Sequence, residues 1–172
     1  LVTGVQTCAL PISMKATALA VALLLTLTGC EKPKPSVTLF PGSNSARAEA
    51  VCWRQDGSPA IGSPGCSQDE LVKTVQSGDL ASLAVTPGST FGISVDSDVA
   101  DAGWYASIIV NGQAQQLVQS IMKDHYWRFT FPDSARGQFP AGGYVLQVTA
   151  AGATSGSERG IWFFTLTDAD AA

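Results

Sequence analysis

The sequence predicts an all-β protein: an immunoglobulin-like antiparallel β-sandwich with one short helix, preceded by a signal peptide. Apolar and polar residues alternate in short segments that follow one another at the spacing typical of sandwich strands. Glycine, proline, asparagine or aspartate bounds these segments, as expected for turns. The predicted strands are 36–40, 46–53, 81–85, 91–95, 104–110, 113–120, 126–131, 144–150 and 161–167.

The first thirteen residues, LVTGVQTCALPIS, precede the first methionine, Met14, and have neither a basic start nor a periodic apolar pattern. The stretch VTGVQTCALPIS resembles the in-frame translation of a sequencing-adapter oligonucleotide. We therefore expect residues 1–13 to be a non-native extension, and we assign no role to Cys8 within them. A genuine N-terminal extension is the alternative.

An export signal is predicted over residues 14–29. The basic residue Lys15 precedes an apolar run that is shorter than the about 20 residues of a membrane-spanning helix. The run ends in LTGC at positions 27–30, which resembles the lipobox of bacterial lipoproteins. In such signals the peptidase cuts before the cysteine, here between Gly29 and Cys30, and the cysteine sulfur receives diacylglycerol. Two acyl chains on one residue anchor a protein stably; the alternative is an ordinary secretory signal in which Cys30 is an unmodified thiol.

Beyond the signal we expect a stalk and one domain. Residues 30–36 contain two prolines, which favour extended structure, and two lysines that are positioned to meet anionic head groups. The β-sandwich is predicted at 37–168, with a short tail at 169–172, a length typical of one domain. The chain has a net charge of −4 and no basic cluster. This composition argues against nucleic-acid binding, which depends on neutralising phosphates.

Cys52 and Cys66 are predicted to form a disulfide, because an even pair of cysteines in an exported protein usually does. The thirteen residues between them are rich in glycine, proline and serine. Closing such a loop stabilises a fold by about 3 kcal/mol. A metal site at this pair would need further Cys or His ligands, and the sequence contains one histidine, His125.

Three local patterns refine the fold. Ser67 and Glu70 have capping-box spacing, and the apolar positions that follow at 71, 72 and 75 predict a short helix that closes at Gly78. The pair Asn111-Gly112 predicts a hairpin, since both residues tolerate positive φ. The stretch PAGGYVLQVTA at 140–150 resembles the corner of immunoglobulin-like domains where a tyrosine, here Tyr144, starts a late strand and bonds back to the chain.

Several of these features together resemble an uncharacterised family of actinobacterial lipoproteins that is known only as a domain of unknown function. They are the LTGC-EKPKP stretch, the short cysteine loop, the DAGW sequence at 101–104, the NGQ hairpin and the aromatic last strand. The resemblance covers most of residues 30–168. It implies a location in the cell envelope, and it brings no catalytic residues with it.

Candidates for catalysis are few. Ser120 and Lys123 match S-x-x-K, a motif that places the two side chains together when both lie on a helix. The segment is instead predicted as strand and turn, so a chance match is the alternative. His125 follows Asp124, but neighbouring strand residues point to opposite faces, and we expect a surface histidine.

Two further groups are candidate binding residues. Asp96, Asp98 and Asp101 are predicted to lie in an acidic loop, which either is a solvated turn or contributes to a calcium site of about six to eight oxygen ligands. The tryptophans either form a binding face, if they are exposed, or fill the core, as is usual in a small sandwich. These residues are Trp53, Trp104 and Trp127.

From these observations we expect a lipid-anchored, non-enzymatic interaction or accessory module on the extracytoplasmic face of the cell membrane. Its contact with the membrane is the lipid on Cys30, its candidate partner is an envelope protein, and no cofactor is expected. One alternative is a carrier of a small apolar or lipidic ligand in an aromatic cavity between the sheets. Another is a hydrolase, which requires Ser120, Lys123 or His125 to meet in one cleft.

Overall fold

The structure is a computed structural model that describes residues 32–42, 44–110, 112–117, 120–135, 138–140 and 143–170. The predicted extension at 1–13, the signal peptide at 14–29 and the lipidation site at Cys30 lie outside the described residues. The chain from Lys34 onward forms one compact unit.

The prediction of an all-β sandwich is confirmed. The described residues form ten strands, two helices and a 3₁₀ turn at Asp133–Ala135. The strands are β1 Ser36–Phe40, β2 Ala46–Glu49, β3 Cys52–Trp53, β4 Ala81–Val85, β5 Thr90–Val95, β6 Trp104–Val110, β7 Gln113–Gln116, β8 Tyr126–Thr130, β9 Tyr144–Ala151 and β10 Glu158–Asp168. The helices are α1 Gln68–Gln76, where a helix was predicted, and α2 Ser97–Ala102, which was not.

The strands form two sheets with the connections of an immunoglobulin-like sandwich. The four-stranded sheet has the order β2-β1-β5-β8, and the six-stranded sheet has the order β3-β10-β9-β6-β7, with β4 also beside β10. Strands β5 and β8 lie in the first sheet and β6, β7, β9 and β10 in the second, which is how strands B and E and strands C, C′, F and G are divided in that fold. The hairpin of β6 and β7 forms as predicted, with Val110 opposite Gln113.

Three details of the predicted strands are wrong. The return strand predicted at 113–120 is shorter, because β7 ends at Gln116. The sheets are not wholly antiparallel, because β4 pairs in parallel with β10 over five residues. The two strands are far apart in the sequence, so no tight hairpin forces them to run in opposite directions. The predicted strand 46–53 is two strands, since β2 joins one sheet and β3 the other. At the break, Ala50 donates a backbone hydrogen bond to Pro35 at 3.2 Å and Val51 donates one to Ile161 at 2.9 Å.

The apolar side chains form two clusters, and β10 contributes to both. Trp162, Phe164 and Leu166 point into the core between the sheets and are fully buried. The alternate residues Ile161 and Phe163 lie on the outer face of the six-stranded sheet, in a second cluster with the two cysteines, Ala60 and Leu71. Burying one large apolar side chain contributes about 1.5 to 3 kcal/mol. The last strand is therefore stabilised on both faces.

The predicted capping box and tyrosine corner both form. In α1 the Ser67 hydroxyl accepts a hydrogen bond from the Glu70 amide at 3.3 Å, and the Glu70 carboxylate accepts one from the Ser67 amide at 2.7 Å. The Tyr144 hydroxyl donates to the Gln138 carbonyl at 3.1 Å, which ties the start of β9 to the preceding loop. The first pair of contacts fixes the start of α1, and the last fixes the corner before β9.

The disulfide between Cys52 and Cys66 is present, with the two Cα atoms 5.7 Å apart. It joins β3 to the residue before the cap of α1, so it holds the intervening loop and the helix over the outer face of β10. Part of the loop is also ordered by polar contacts. Hydrogen bonds from the side chain of Ser58, and to a smaller extent from that of Arg54, lower the pKa of the Asp56 carboxyl to about 2.

Replacing both cysteines with serine is expected to lower the free energy of unfolding by about 3 kcal/mol, because the unfolded chain regains the freedom of the loop. Urea denaturation followed by tryptophan fluorescence measures the change. Reduction of the wild-type chain serves as the control and should cause a loss of the same size. A variant as stable as the oxidised wild type would show that this bridge does not hold the loop in place.

Candidate functional site

The acidic residues predicted to form a loop do not form one. Asp98 and Asp101 lie on helix α2, and Asp96 occupies the position before its first residue. The Asp96 carboxylate accepts hydrogen bonds from the Ser36 amide at 2.7 Å and from the Ser36 hydroxyl at 3.1 Å, so it ties α2 to β1. Within the described part of the chain no three His, Cys, Asp or Glu side chains are grouped to hold a metal ion.

The three tryptophans do not share one face. Trp104 is fully buried between the sheets, where its indole nitrogen donates to the Asp124 carbonyl at 2.8 Å. Trp53 is half-buried on β3 beside Trp162, with the Arg159 guanidinium 4.3 Å from its ring centre. Trp127 is 41% exposed on β8, in the other sheet. The hypothesis of a single tryptophan platform is therefore wrong.

The hydrolase candidates lie in the connection between β7 and β8. Ser120, Lys123 and His125 are all exposed, and none of the described residues of this connection is helical. The S-x-x-K spacing therefore lacks the helix that would place the serine beside the lysine. The His125 carbonyl accepts a hydrogen bond from the Val95 amide at 2.9 Å, which fixes the backbone beside β5.

An open groove of about 410 Å³ lies between α1 and the outer face of the six-stranded sheet. Its floor is apolar and is formed by Ile109 of β6 together with Ile161 and Phe163 of β10. One wall is the helix, and the groove is also lined by Ile61 of the loop closed by the disulfide and by Gly112 and Ala114 of the hairpin between β6 and β7. Two apolar side chains at its rim remain exposed, Val72 at 46% and Ile61 at 40%. We call this feature the α1 groove.

The α1 groove arises because the helix covers only part of an apolar surface. Leu71 is the one buried residue of α1, and it packs in the cluster that contains Ile161 and Phe163. Sequence reasoning identified the helix and the strands and did not find the groove. The signal was present in β6 and β10, where apolar residues occupy both faces of strands that would otherwise alternate with polar residues.

A polar cluster borders the groove on the same sheet face. The Tyr105 hydroxyl donates to the Glu158 carboxylate at 2.8 Å, and the Gln147 amide donates to the Thr149 hydroxyl at 2.9 Å. Gln147 and Glu158 also line the groove. Burial, followed by the hydrogen bond and charge of Glu158, raises the pKa of Tyr105 to about 12, while a hydrogen bond with Thr149 acts in the opposite direction. The site therefore combines an apolar floor with oriented polar groups.

A second recess of about 440 Å³ opens at the end of the sandwich, near the tyrosine corner. It is lined by apolar residues such as Ile108 and Phe131 and by three glutamines, Gln115, Gln116 and Gln138. Residues 118–119, 136–137 and 141–142, which neighbour these segments in the sequence, are outside the described part of the chain. The centre of the sandwich is filled by large fully buried side chains, among them Trp104 and Trp162.

Comparison with known proteins adds no relative. No protein-family model, no curated protein and no solved structure matches this chain. Among the residues that the structure describes, no helix has the length and apolar content needed to cross a membrane.

Replacing Tyr105 with phenylalanine is expected to change how stability depends on pH. Between the ordinary tyrosine pKa of about 10 and the folded value of about 12, the unfolded chain has lost this proton and the folded chain keeps it. The free energy of unfolding therefore falls as pH rises through this range, and the contribution is fully present below about pH 10. The variant should show a smaller fall.

Urea unfolding between about pH 9 and pH 12 measures this dependence. Tyr126→Phe is the matched control, because Tyr126 is exposed on the other sheet. An equally steep fall in Tyr105→Phe and in the wild type would mean that the proton on Tyr105 does not couple to folding.

Proposed function

We propose that the protein is a lipid-anchored, non-enzymatic interaction module of the bacterial cell envelope. In this proposal Cys30 carries diacylglycerol, the stalk at 30–36 spaces the domain from the extracytoplasmic face of the membrane, and the sandwich binds an envelope partner. The observation that carries the proposal is the LTGC sequence at 27–30 after Lys15 and an apolar run.

One feature of the folded domain supports an extracytoplasmic location. The bridge between Cys52 and Cys66 is of the kind that persists in oxidising compartments and is rare in the cytosol. The domain also offers exposed apolar and aromatic surface on a rigid scaffold, which suits binding.

Replacing Cys30 with alanine is expected to move the protein from the membrane fraction to the soluble or secreted fraction, because the acceptor of the acyl chains is lost. The measurement is fractionation of expressing cells followed by intact mass, before and after reduction and thiol labelling. Wild-type protein should begin at an acylated Cys30 and show free thiols only after reduction. A wild-type chain that is unacylated, or that keeps residues 1–13, would contradict the proposal.

A second candidate function, a carrier of a small apolar ligand, is favoured by the α1 groove. Sequence reasoning placed the cavity of such a carrier between the sheets. The α1 groove lies outside them, beneath the helix, and its volume of about 410 Å³ is within the range of small-molecule sites. The exposed rim residues Val72 and Ile61 would be covered by a bound ligand, which provides a favourable apolar contribution.

The substitution Val72→Glu is expected to weaken the binding of the neutral fluorescent probe N-phenyl-1-naphthylamine about tenfold, since a charge at the rim disfavours an apolar ligand. Fluorescence titration of the purified chain measures the affinity. Ile121→Glu is the matched control, because Ile121 is 57% exposed and does not line the groove. Equal losses in the two variants, or an unsaturable signal, would rule out the groove as the site.

A further inference from the structure

The outer face of the four-stranded sheet carries exposed aromatic and basic side chains. Buried Val37, Leu39, Phe91, Ile93 and Phe129 mark the inner faces of its strands. Because side chains alternate along a strand, the residues between them point outward. The outward residues include two exposed aromatics, Phe40 and Tyr126, and two exposed arginines, Arg47 and Arg128.

Strand register arranges these residues in two adjacent rows. One row runs across β2, β1, β5 and β8, with each residue opposite the next: Arg47, Thr38, Ser94 and Tyr126. In the other row Gly92 lies between Phe40 and Arg128. The first row crosses all four strands, and the second crosses β1, β5 and β8. From β2 to β8 the distance is three strand spacings, or about 14 Å.

Gly92 makes room for the ring of Tyr126. A Cβ atom at position 92 would overlap the Oη, Cζ and Cε2 atoms of Tyr126, so the ring lies against the bare backbone of the glycine. Tyr126 nevertheless remains 45% exposed. The sheet therefore presents a supported aromatic ring to solvent, beside the Arg128 side chain that shares a strand with it.

The arginines give this face a local positive charge on an acidic chain. Neither Arg47 nor Arg128 forms an ion pair among the described residues. Two carboxylates border the arginine rows at one end of this face: Glu49 lies beside Arg47 on β2, opposite Ser36, and the Asp96 carboxylate bonds to Ser36. Both lie at the Ser36 end, so a partner that contacts the two arginine rows is favoured when it carries negative charge.

We infer that the outer face of the four-stranded sheet binds an anionic polysaccharide. The apolar face of a sugar ring stacks on Tyr126, and the planar guanidinium groups of Arg128 and Arg47 each hold a carboxylate along the chain by paired hydrogen bonds. The hydroxyls of Thr38 and Ser94 lie between them in the row and suit the hydroxyls of a sugar. The separation of the two arginines favours an elongated polymer over a single small anion.

This inference gives the proposed interaction module its partner and rests on that proposal for its location. The test uses the full chain in detergent micelles and isothermal titration calorimetry with an oligogalacturonate. Neutral dextran and short-chain dihexanoylphosphatidylglycerol are titrated in parallel, because the same arginines could contact an anionic lipid head group. Unfolding midpoints verify that each variant is folded.

The oligogalacturonate is expected to bind and dextran is not. Arg128→Gln and Tyr126→Ala should each weaken binding about tenfold, whereas Tyr126→Phe, which keeps the ring, should bind as the wild type does. Lys73→Gln, the same change of charge on exposed α1, is the matched control and should have no effect. Arg128→Gln keeps the test decisive if Tyr126→Ala does not fold.

Absence of oligogalacturonate binding overturns the inference. So does an equal loss in Lys73→Gln, which would indicate diffuse charge attraction, and so does binding of the phospholipid alone, which would indicate a membrane surface. A chain that is acylated at Cys30 but does not bind the saccharide refutes this inference and leaves the anchored module standing. Saccharide binding by a chain that is never acylated refutes the anchored module and leaves this inference standing.

Discussion

The whole domain depends on β10 being buried on both faces. Its inward side chains, Trp162 and Phe164, fill the space between the sheets, while its outward side chains, Ile161 and Phe163, would be left in water by a simple two-layer sandwich. Exposed large apolar groups on a sheet face are unfavourable and invite association. A second layer over the six-stranded sheet is therefore required, and the cysteine loop and α1 supply it.

The disulfide and the first residues of β10 hold that layer in place. Trp53 of β3 packs on Trp162 and on the Arg159 guanidinium, and Arg159 also donates a hydrogen bond to the Arg54 carbonyl at 2.9 Å. A Cβ atom at Gly160 would overlap the ring of Trp53, so only glycine allows this approach. The loop is fixed by ring packing and hydrogen bonds at this end and by Cys66 at the other.

The two surfaces proposed for binding have different physical origins. The α1 groove exists because a helix of nine residues is too small to cover all the outward apolar groups of the six-stranded sheet. The face of the other sheet carries two exposed arginines, Arg47 and Arg128, and its one glycine, Gly92, lets Tyr126 lie against the backbone. An apolar ligand suits the first surface and an anionic polymer suits the second, so the two do not compete for the same residues.

Sequence alone determined the features that depend on neighbours in the chain. The capping box of α1, the hairpin after β6, the corner at Tyr144 and the positions of most strands follow from turn chemistry and alternation over a few residues. The pairing of Cys52 with Cys66 followed from parity and compartment. The lipidation of Cys30 stays a prediction, because it lies outside the described residues.

Only the tertiary structure decided what depends on contacts between distant residues. The acidic stretch is a helix bounded by Asp96 and Gly103, and the carboxylate that looked available for calcium is bonded to Ser36, sixty positions away. Four other features could not be predicted from the sequence: the parallel pairing of β4 with β10, the separation of the tryptophans, the α1 groove and the rows of residues beside Gly92. The alternation of side chains indicates which residues share one face of a strand. Packing and register between strands decide which residues that face contacts.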